Sequence, residues 1–374
     1  MHRKRPLILL AIIVVILAIF VVKTASFYPF LFQLVFNQGV NLKQTTDSRV
    51  NILLLGIGGG NHDGPNLTDT IMLASLDPKN NKVTLVSIPR DLWFPDLEGT
   101  NKKINGVYAD GEFKNPGKGG LIEAEAAIQK VTGQNIDYGV RLDFSGFVKA
   151  VDLVGGLDIN VDNTFDDYQY PIDGKETDTC GHSPEEMQTL TNTLEDQLPQ
   201  VFPCRYLHLH FNQGLNHMDG ATALEFVRSR HGTNGEDSDF ARSKRQEKII
   251  AAFKNQILSA QTLLNPGKII NLYNILSGSI NTDIQQGEFD DFIRLAEKMR
   301  SAKIISGAID IGDVTTQRNG LLIEDSIASD GIYLSTLTPR VGNGNFSEIQ
   351  KYIACEITKG NCVVSPLPVA ASKN

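Results

Sequence analysis

Positive charge is what this chain has too little of for one large class of partners. Its 374 residues carry 35 lysines and arginines against 43 aspartates and glutamates, a formal net charge of −8. Binding along a phosphate backbone needs a broad basic surface, so the balance argues against DNA or RNA as a partner. Cysteine is scarce too: Cys180, Cys204, Cys355 and Cys362 are the whole set, with no Cys-x-x-Cys pair, which makes a cysteine zinc site unlikely on chemical grounds. No internal repeat occurs, which removes solenoids and propellers. Gly-x-Ser-x-Gly is missing, and Ser145-Gly146 lacks the strand-to-helix context of a serine hydrolase elbow.

Phosphate-loop signatures are incomplete. Gly56-Ile57-Gly58-Gly59-Gly60 follows a strand, but no helix pattern begins there, so neither a dinucleotide fingerprint nor a P-loop is supported. Pro116-Gly117-Lys118-Gly119-Gly120 lacks the Ser/Thr and the upstream strand of a Walker loop. His208 and His210 share one strand face, yet no third metal ligand is evident in the sequence, and they read as ordinary strand histidines.

Only one long apolar run is present. It extends from Pro6 to Val22, after His2-Arg3-Lys4-Arg5 and before Lys23. Its length matches the short end of a membrane span and exceeds the apolar region of a usual signal peptide, and Lys23-Thr24-Ala25-Ser26 is a poor cleavage site. The expectation is an uncleaved anchor over 6–23, with residues 1–5 cytoplasmic by the positive-inside rule, a juxtamembrane linker over 24–48 and an extracellular domain over 49–374. Without Arg3, Lys4, Arg5 and Lys23, 31 basic side chains face 43 acidic ones outside, a charge of −12. Even cysteine number and proximity suggest local disulfides, Cys180 to Cys204 and Cys355 to Cys362, although four cysteines allow three pairings.

Element signals alternate after residue 49. Val50–Leu55, Thr70–Ser75 and Val83–Ile88 are short apolar runs of buried-strand type, the last two joined by the turn Asp77-Pro78-Lys79-Asn80-Asn81. Helices are expected near 121–131 with Gly133 at the C-cap, 147–153, 239–259, 289–299 and 346–355. Strands are expected near 138–144, 157–161, 303–309, 320–323 and 331–337. This order predicts an α/β fold with a mixed central β-sheet covered by helices on both faces. Residues 162–205, acidic and holding Cys180 and Cys204, form an inserted excursion. No Pro/Gly/Ser linker divides the rest, so the outer part reads as one elaborated domain.

Two arginine-bearing stretches concentrate the chemistry: Val227-Arg228-Ser229-Arg230-His231 and Asp239-Phe240-Ala241-Arg242-Ser243-Lys244-Arg245-Gln246. The second opens a helix, with Ser238 or Asp239 as N-cap, and places Arg242, Arg245, Ile249 and Phe253 on one face while Lys244 points away. Inward arginines need an anion, and the guanidinium fork suits phosphate oxygens. A structural arginine pair bonded to buried carboxylates is the alternative. Ser87-Ile88-Pro89-Arg90-Asp91 ends a central strand, and a hairpin pairing would put Asp69 and Asp91 at the same sheet edge, beside Lys103, Asn105 and Tyr108 in a polar loop. Hard carboxylates beside arginines are what a magnesium-assisted reaction on a pyrophosphate requires; taken singly, Asp69 as a turn cap and Arg90 bonded to a loop carbonyl remain open.

Together, Asn51–Gly56, Thr68–Ser75, Val86–Asp91, Lys103–Asn105, Asp219–Leu224, Arg228–His231 and Asp239–Arg242 resemble the LytR-CpsA-Psr family of bacterial envelope proteins, over roughly residues 50–258. The resemblance implies a membrane-anchored phosphotransferase that moves a glycopolymer, such as a teichoic acid, capsule or arabinogalactan-type chain, from a polyprenyl-pyrophosphate carrier to peptidoglycan. It implies Mg²⁺ on Asp69, pyrophosphate on Arg90, Arg228, Arg230 and Arg242 with Lys103 adding a donor, Arg245 as a second helix arginine, and Asp239 positioning an arginine or deprotonating the acceptor. An apolar tunnel between sheet and helices would take the polyprenyl tail. This chain departs from the family pattern at Gly58, where an aspartate is usual, and at Leu67, where an arginine is usual; Asp63 is the loop carboxylate that would substitute for the first. A polyprenyl-pyrophosphate hydrolase and a non-catalytic polyprenyl-phosphate binding protein are the competing readings.

Overall fold

A computed structural model describes residues 40–44, 48–60, 62, 64–95, 101–190, 197–257, 279–313, 317–329 and 332–366. The expected anchor over 6–23 and most of the 24–48 linker lie outside these residues. Among the described residues no helix is long and apolar enough to cross a membrane.

The domain begins with three strands, Val50–Ile57 (β1), Thr68–Asp77 (β2) and Lys82–Ser87 (β3), where the apolar runs predict them. The Asp77 carboxylate closes the β2–β3 turn by accepting from the Asn80 backbone N–H (3.0 Å) and side-chain amide (2.8 Å), the local bonding that makes Asp and Asn turn residues. Short strands Trp93–Pro95 (β4) and Asn101–Lys103 (β5) follow, then helices Val107–Lys114 (α1) and Gly119–Thr132 (α2). The second helix stops at Gly133, whose φ of +67° is a left-handed conformation that costs other residues energy. Tyr138–Asp143 (β6) leads into Phe144–Val154 (α3), capped by the Asp143 carboxylate on the Gly146 N–H at 2.8 Å.

Next come Leu157–Val161 (β7), Phe165–Pro171 (β8), Tyr206–Phe211 (β9), Gly214–Met218 (β10), Gly220–Arg228 (α4) and Asp239–Ile257 (α5). The chain continues through Ile280–Thr282 (β11), Phe289–Lys298 (α6), Lys303–Ala308 (β12), the hairpin Leu322–Ser329 (β13) and Ile332–Pro339 (β14), and Ser347–Thr358 (α7).

Six strands form the central sheet in the order β11-β6-β1-β2-β3-β12, with β1/β6 and β3/β12 parallel and the other pairs antiparallel. The sheet is mixed, as expected. One face carries Leu53, Leu55, Leu73 and Val86 into a core with Leu121, Ile128 and Val131 of α2 and Ile349, Ile353 and Ile357 of α7. Met72, Ala74 and Leu85 turn to the opposite face, where Ile250 of α5 packs against them. The two-residue side-chain period of a strand buried on both sides explains why these runs are continuously apolar.

A second core joins α3, α4 and α5 to β7–β10 around Phe165, Phe211 and Phe226, whose ring centroids lie 5.0 to 6.1 Å apart. Truncating any one to alanine should cost about 3–5 kcal/mol. This core corrects the expected excursion over 162–205. Its first part is β8, paired antiparallel with β9, so only the segment between these strands leaves the layer. The acids at 166 and 167 and a register irregularity between Asp167 and Tyr170 hide the strand alternation from the sequence. The Cys180–Cys204 and Cys355–Cys362 disulfides are present as paired from their proximity.

Residues 40–43 and 284–300 form a separate small unit. In it the Asp291 carboxylate accepts from the Asn41 N–H (2.9 Å) and from Arg294 Nη2 (2.8 Å), and Leu295 and Met299 are buried.

Candidate functional site

The antiparallel β2–β3 pairing places Asp69, near the start of β2, and Arg90, just past β3, at the sheet end opposite the Asp77 turn. They meet in an ion pair between Arg90 Nη1 and Asp69 Oδ1. Arg90 Nε also lies 3.4 Å from Asp91 Oδ2, and Lys103 Nζ lies 2.7 Å from Asp91 Oδ1. The β4–β5 ladder sets that last contact by pairing Trp93 with Lys103. The loop is pinned through its backbone: Asn105 N–H donates to the Arg90 carbonyl (3.2 Å) and Leu337 N–H to the Asp91 carbonyl (3.0 Å). Burial raises the Asp91 carboxyl, but Lys103 and Arg90 outweigh it and hold the group below its usual range.

The second cationic element is the turn after α4. Its buried anchor is Asp167 of β8, whose Oδ2 accepts from Ser229 Oγ (2.7 Å) and from the backbone N–H groups of Arg230 (3.2 Å) and His231 (3.3 Å). Arg245 holds the same turn from its carbonyl side. Its Nε donates to the Phe226 carbonyl (2.9 Å), Nη2 to the Ser229 carbonyl (2.6 Å), and Nη1 to both the Glu236 carbonyl (2.8 Å) and carboxylate (2.7 Å). A cation on the last carbonyls of a helix is favourable both as a cap and against the dipole. Arg245 therefore departs from the pyrophosphate role expected of it: its guanidinium bonds the protein's own carbonyls and the Glu236 carboxylate. For Arg245 the alternative reading holds, a structural arginine bonded to a buried carboxylate.

Arg228, at the end of α4, forms a forked pair with Asp173, with Nη2–Oδ1 at 3.2 Å and Nη1–Oδ2 at 3.3 Å, and lies over the Phe144 ring at 4.5 Å. Nη1 also donates to Tyr170 Oη at 3.2 Å. Burial works against the Arg228 charge, but Asp173, Tyr170 and Asp69 outweigh it and raise its affinity for the proton. Burial pushes the Tyr170 hydroxyl up to about 12, so it stays neutral beside the arginine.

Arg230 is different. No described residue accepts a hydrogen bond from its guanidinium; burial, then repulsion from Arg242 and Arg90, pushes its pKa down to about 10 despite the pull of Asp91 and Asp69. A half-buried cation crowded by two others suits an anion with several oxygens. Arg90, Arg228, Arg230 and Arg242 thus converge with Asp69, Asp91 and Lys103 at one sheet edge.

Other expected residues fall as follows. Asp63 lies outside the described residues. Asp239 opens α5, with Ser238 as the N-cap through its Oγ on the Ala241 N–H (3.1 Å). Tyr108 is buried below the polar loop, its Oη accepting from Arg141 Nε at 3.2 Å. At Gly58 a Cβ would collide with Cγ of His62, so the ring of His62 occupies the space a side chain there would need. His62 Nε2 lies 3.4 Å from Asp173 Oδ1 and 3.5 Å from Arg228 Nη2. Sequence reasoning missed Asp173, His62, Tyr170 and Asp167, which share no spacing with the arginine stretches.

Comparison with known proteins gives the family and the fold. The model of the LytR_cpsA_psr family matches residues 33–329. The chain is 28% identical over 237 residues to the cell wall biosynthesis protein LcpA of Corynebacterium glutamicum, covering 58% of this chain and 38% of that protein. It is 27% identical over 254 residues to the polyisoprenyl-teichoic acid–peptidoglycan teichoic acid transferase TagU of Bacillus cereus, covering 67% of this chain and 65% of that one. The match thus spans less than two thirds of either relative. The crystal structure of Bacillus subtilis TagV shares the fold, with a TM-score of 0.51 and 23% identity over 84% of this chain and 98% of that one.

Proposed function

Because the chain belongs to the LytR_cpsA_psr family, we propose that it is a phosphotransferase that attaches a glycopolymer carried on polyprenyl pyrophosphate to peptidoglycan. The observation that carries this reading is Arg230, a half-buried guanidinium with no hydrogen-bonded partner among the described residues, close enough to Arg90 and Arg242 to be repelled by both. An oxygen-rich dianion relieves that crowding, and a pyrophosphate is the anion that four convergent forks can address.

In the proposed reaction a hydroxyl of the peptidoglycan acceptor attacks the sugar-side phosphorus. The new P–O bond forms as the bridging P–O bond breaks, and polyprenyl phosphate leaves with the electron pair. The hydroxyl proton passes to a carboxylate, a role we assign to Asp239 at the head of α5. Arg90, Arg228, Arg230 and Arg242 hold the two phosphates and stabilise charge that grows on the leaving oxygen, where preorganised cations act most strongly. Lys103 keeps Asp91 ionised and in place, and Asp91 in turn orients Arg90.

The donor set fits Mg²⁺ as a site with few protein ligands. Asp69 is a hard carboxylate at the pyrophosphate edge, while Gly58 offers no oxygen and its side-chain space is taken by His62. Magnesium commonly uses one or two carboxylates and completes its shell with water and substrate phosphates. Asp69, with Asp63 as the second candidate, would hold it, and the ion would neutralise phosphate oxygens. We further propose a single N-terminal anchor over 6–23, with the domain after it outside the cell; this places the site near a membrane-borne donor.

The test is the full chain in detergent with a short-chain polyprenyl-pyrophosphate sugar, Mg²⁺ and a peptidoglycan fragment, with products followed by mass spectrometry. Polyprenyl phosphate release together with a glycan–acceptor product, both lost in Arg90→Ala and Arg230→Ala, is the expected result. Release with no need of acceptor would replace transferase by hydrolase, and tight lipid binding without turnover would make the protein a carrier.

A further inference from the structure

The outer face of the β8–β9 ribbon gathers three metal-capable side chains that the arginine site does not use. His208 and His210 stand two apart on β9, on the same face, and Asp166 of β8 is the direct cross-strand partner of His210. His208 Nε2 and His210 Nδ1 both lie 2.8 Å from one atom, Asp166 Oδ1. The third ligand that the sequence does not reveal is thus supplied by strand pairing.

The surroundings of His210 call for a cation. Its Nδ1 faces the Asp166 carboxylate, and its Nε2 faces Asn212 Oδ1 at 3.3 Å, so both ring nitrogens point at acceptors. A neutral imidazole has one N–H and cannot satisfy both. A second proton is one solution. A metal ion on Nδ1 is the other, leaving Nε2–H to donate to Asn212, the outer contact by which ligating histidines are usually oriented. His208 is held by Tyr168, whose ring stacks on it at a centroid distance of 4.2 Å.

We propose that Asp166, His208 and His210 form a Zn²⁺ site, with two imidazole nitrogens, one carboxylate oxygen and a fourth position open to solvent. Two imidazoles and one carboxylate suit Zn²⁺ better than the hard ions Mg²⁺ or Ca²⁺. Each imidazole nitrogen stands 2.8 Å from the carboxylate oxygen, with the two nitrogens farther from each other than 4.8 Å. Zinc bonds of about 2.0–2.2 Å require both rings to swing inward. The His208 and His210 side chains, 51% and 45% exposed, have room to do so. Among the described residues the group whose ligand atoms already lie within 4.8 Å of one another is Asp178, Cys180 and Cys204, but those sulfurs are joined in a disulfide and offer no thiolate. On the inner side of β8 the next residue, Asp167, anchors the arginine turn, so the metal would sit on the strand that positions that turn without touching it.

The experiment is calorimetric titration of the chelator-stripped full chain in detergent with ZnCl₂, and with Co²⁺ as the optical probe. Expected are one Zn²⁺ per chain and a visible Co²⁺ band of low coordination number, both lost in His208→Ala/His210→Ala. Asn212→Ala should keep the site but weaken it roughly ten- to a hundredfold, as loss of an orienting contact does; this variant also carries the test should the double variant fail to fold. Absence of saturable Zn²⁺ binding, or binding unchanged in these variants, would overturn the proposal.

Discussion

Arg228 and Asp173 face each other fork to fork, Nη2 to Oδ1 at 3.2 Å and Nη1 to Oδ2 at 3.3 Å, in the geometry an arginine uses for a phosphate. The carboxylate comes from the segment that follows β8, and it occupies the arginine that the proposed function gives to a donor phosphate.

Asp173 should therefore compete with ligand. Asp173→Ala is expected to tighten inorganic pyrophosphate binding by roughly two- to tenfold, the range for a half-exposed ion pair. Calorimetry of the variant beside the parent chain checks this. Weaker binding in the variant would mean that Asp173 holds Arg228 in place for the ligand instead of blocking it.

Arg230 should cost stability at neutral pH while serving binding. Its folded pKa, about 10, lies below the ordinary 12.5, so between these values the unfolded chain binds more protons and stability rises with pH. The penalty is complete below pH 10 and is relieved above it. Arg230→Ala is expected to leave the melting temperature unchanged or raise it at pH 8, to lose that advantage as pH climbs past 10, and to weaken pyrophosphate binding at least about tenfold. Urea unfolding at the two pH values together with a binding isotherm gives all three readings.

Arg245 predicts the opposite pattern. Removing its guanidinium leaves the Glu236 carboxylate and the Phe226 and Ser229 carbonyls buried without their donor. Arg245→Ala should cost about 3–5 kcal/mol in chemical denaturation, the usual loss when one partner of a buried pair is deleted. A melting temperature equal to that of the parent chain would show that these bonds do not support the turn.

The Cys180–Cys204 bond closes a loop with a sequence separation of 24 in the segment that carries Asp173. Its loss in Cys180→Ser/Cys204→Ser should cost roughly 3 kcal/mol on the loop-closure estimate. Differential scanning calorimetry reads the cost, and the same variant should resemble Asp173→Ala in pyrophosphate affinity if the disulfide keeps Asp173 near Arg228.

Much of the central sheet was legible because its strands are buried on both faces and leave unbroken apolar runs, as in Ile52–Leu55 and Met72–Ala74. Helix limits at Gly133 and at Ser238 or Asp239 followed from local chemistry, and the structure makes Ser238 the cap. The β8 strand was not legible, since Asp166 and Asp167 interrupt its apolar alternation and the register shifts after Asp167. Lys103 was legible as a polar-loop donor, but its bond to Asp91 depends on the β4–β5 ladder.

From its order of residues alone this chain determined an α/β sheet, the hairpin that brings Asp69 and Arg90 to one edge, two local disulfides and the presence of inward arginines on α5. These are properties of periodicity, turns and proximity, which act over a few residues. What each arginine does was decided by contacts the fold makes: Glu236 and the Phe226 and Ser229 carbonyls take Arg245, Asp173 takes Arg228, and Arg230 is left among like charges. Asp166 likewise meets His208 and His210 only because two strands more than 40 residues apart share a register. Partner choice for a charged side chain is set by burial and by which opposite charge the fold brings within about 4 Å, and neither is written into its local sequence.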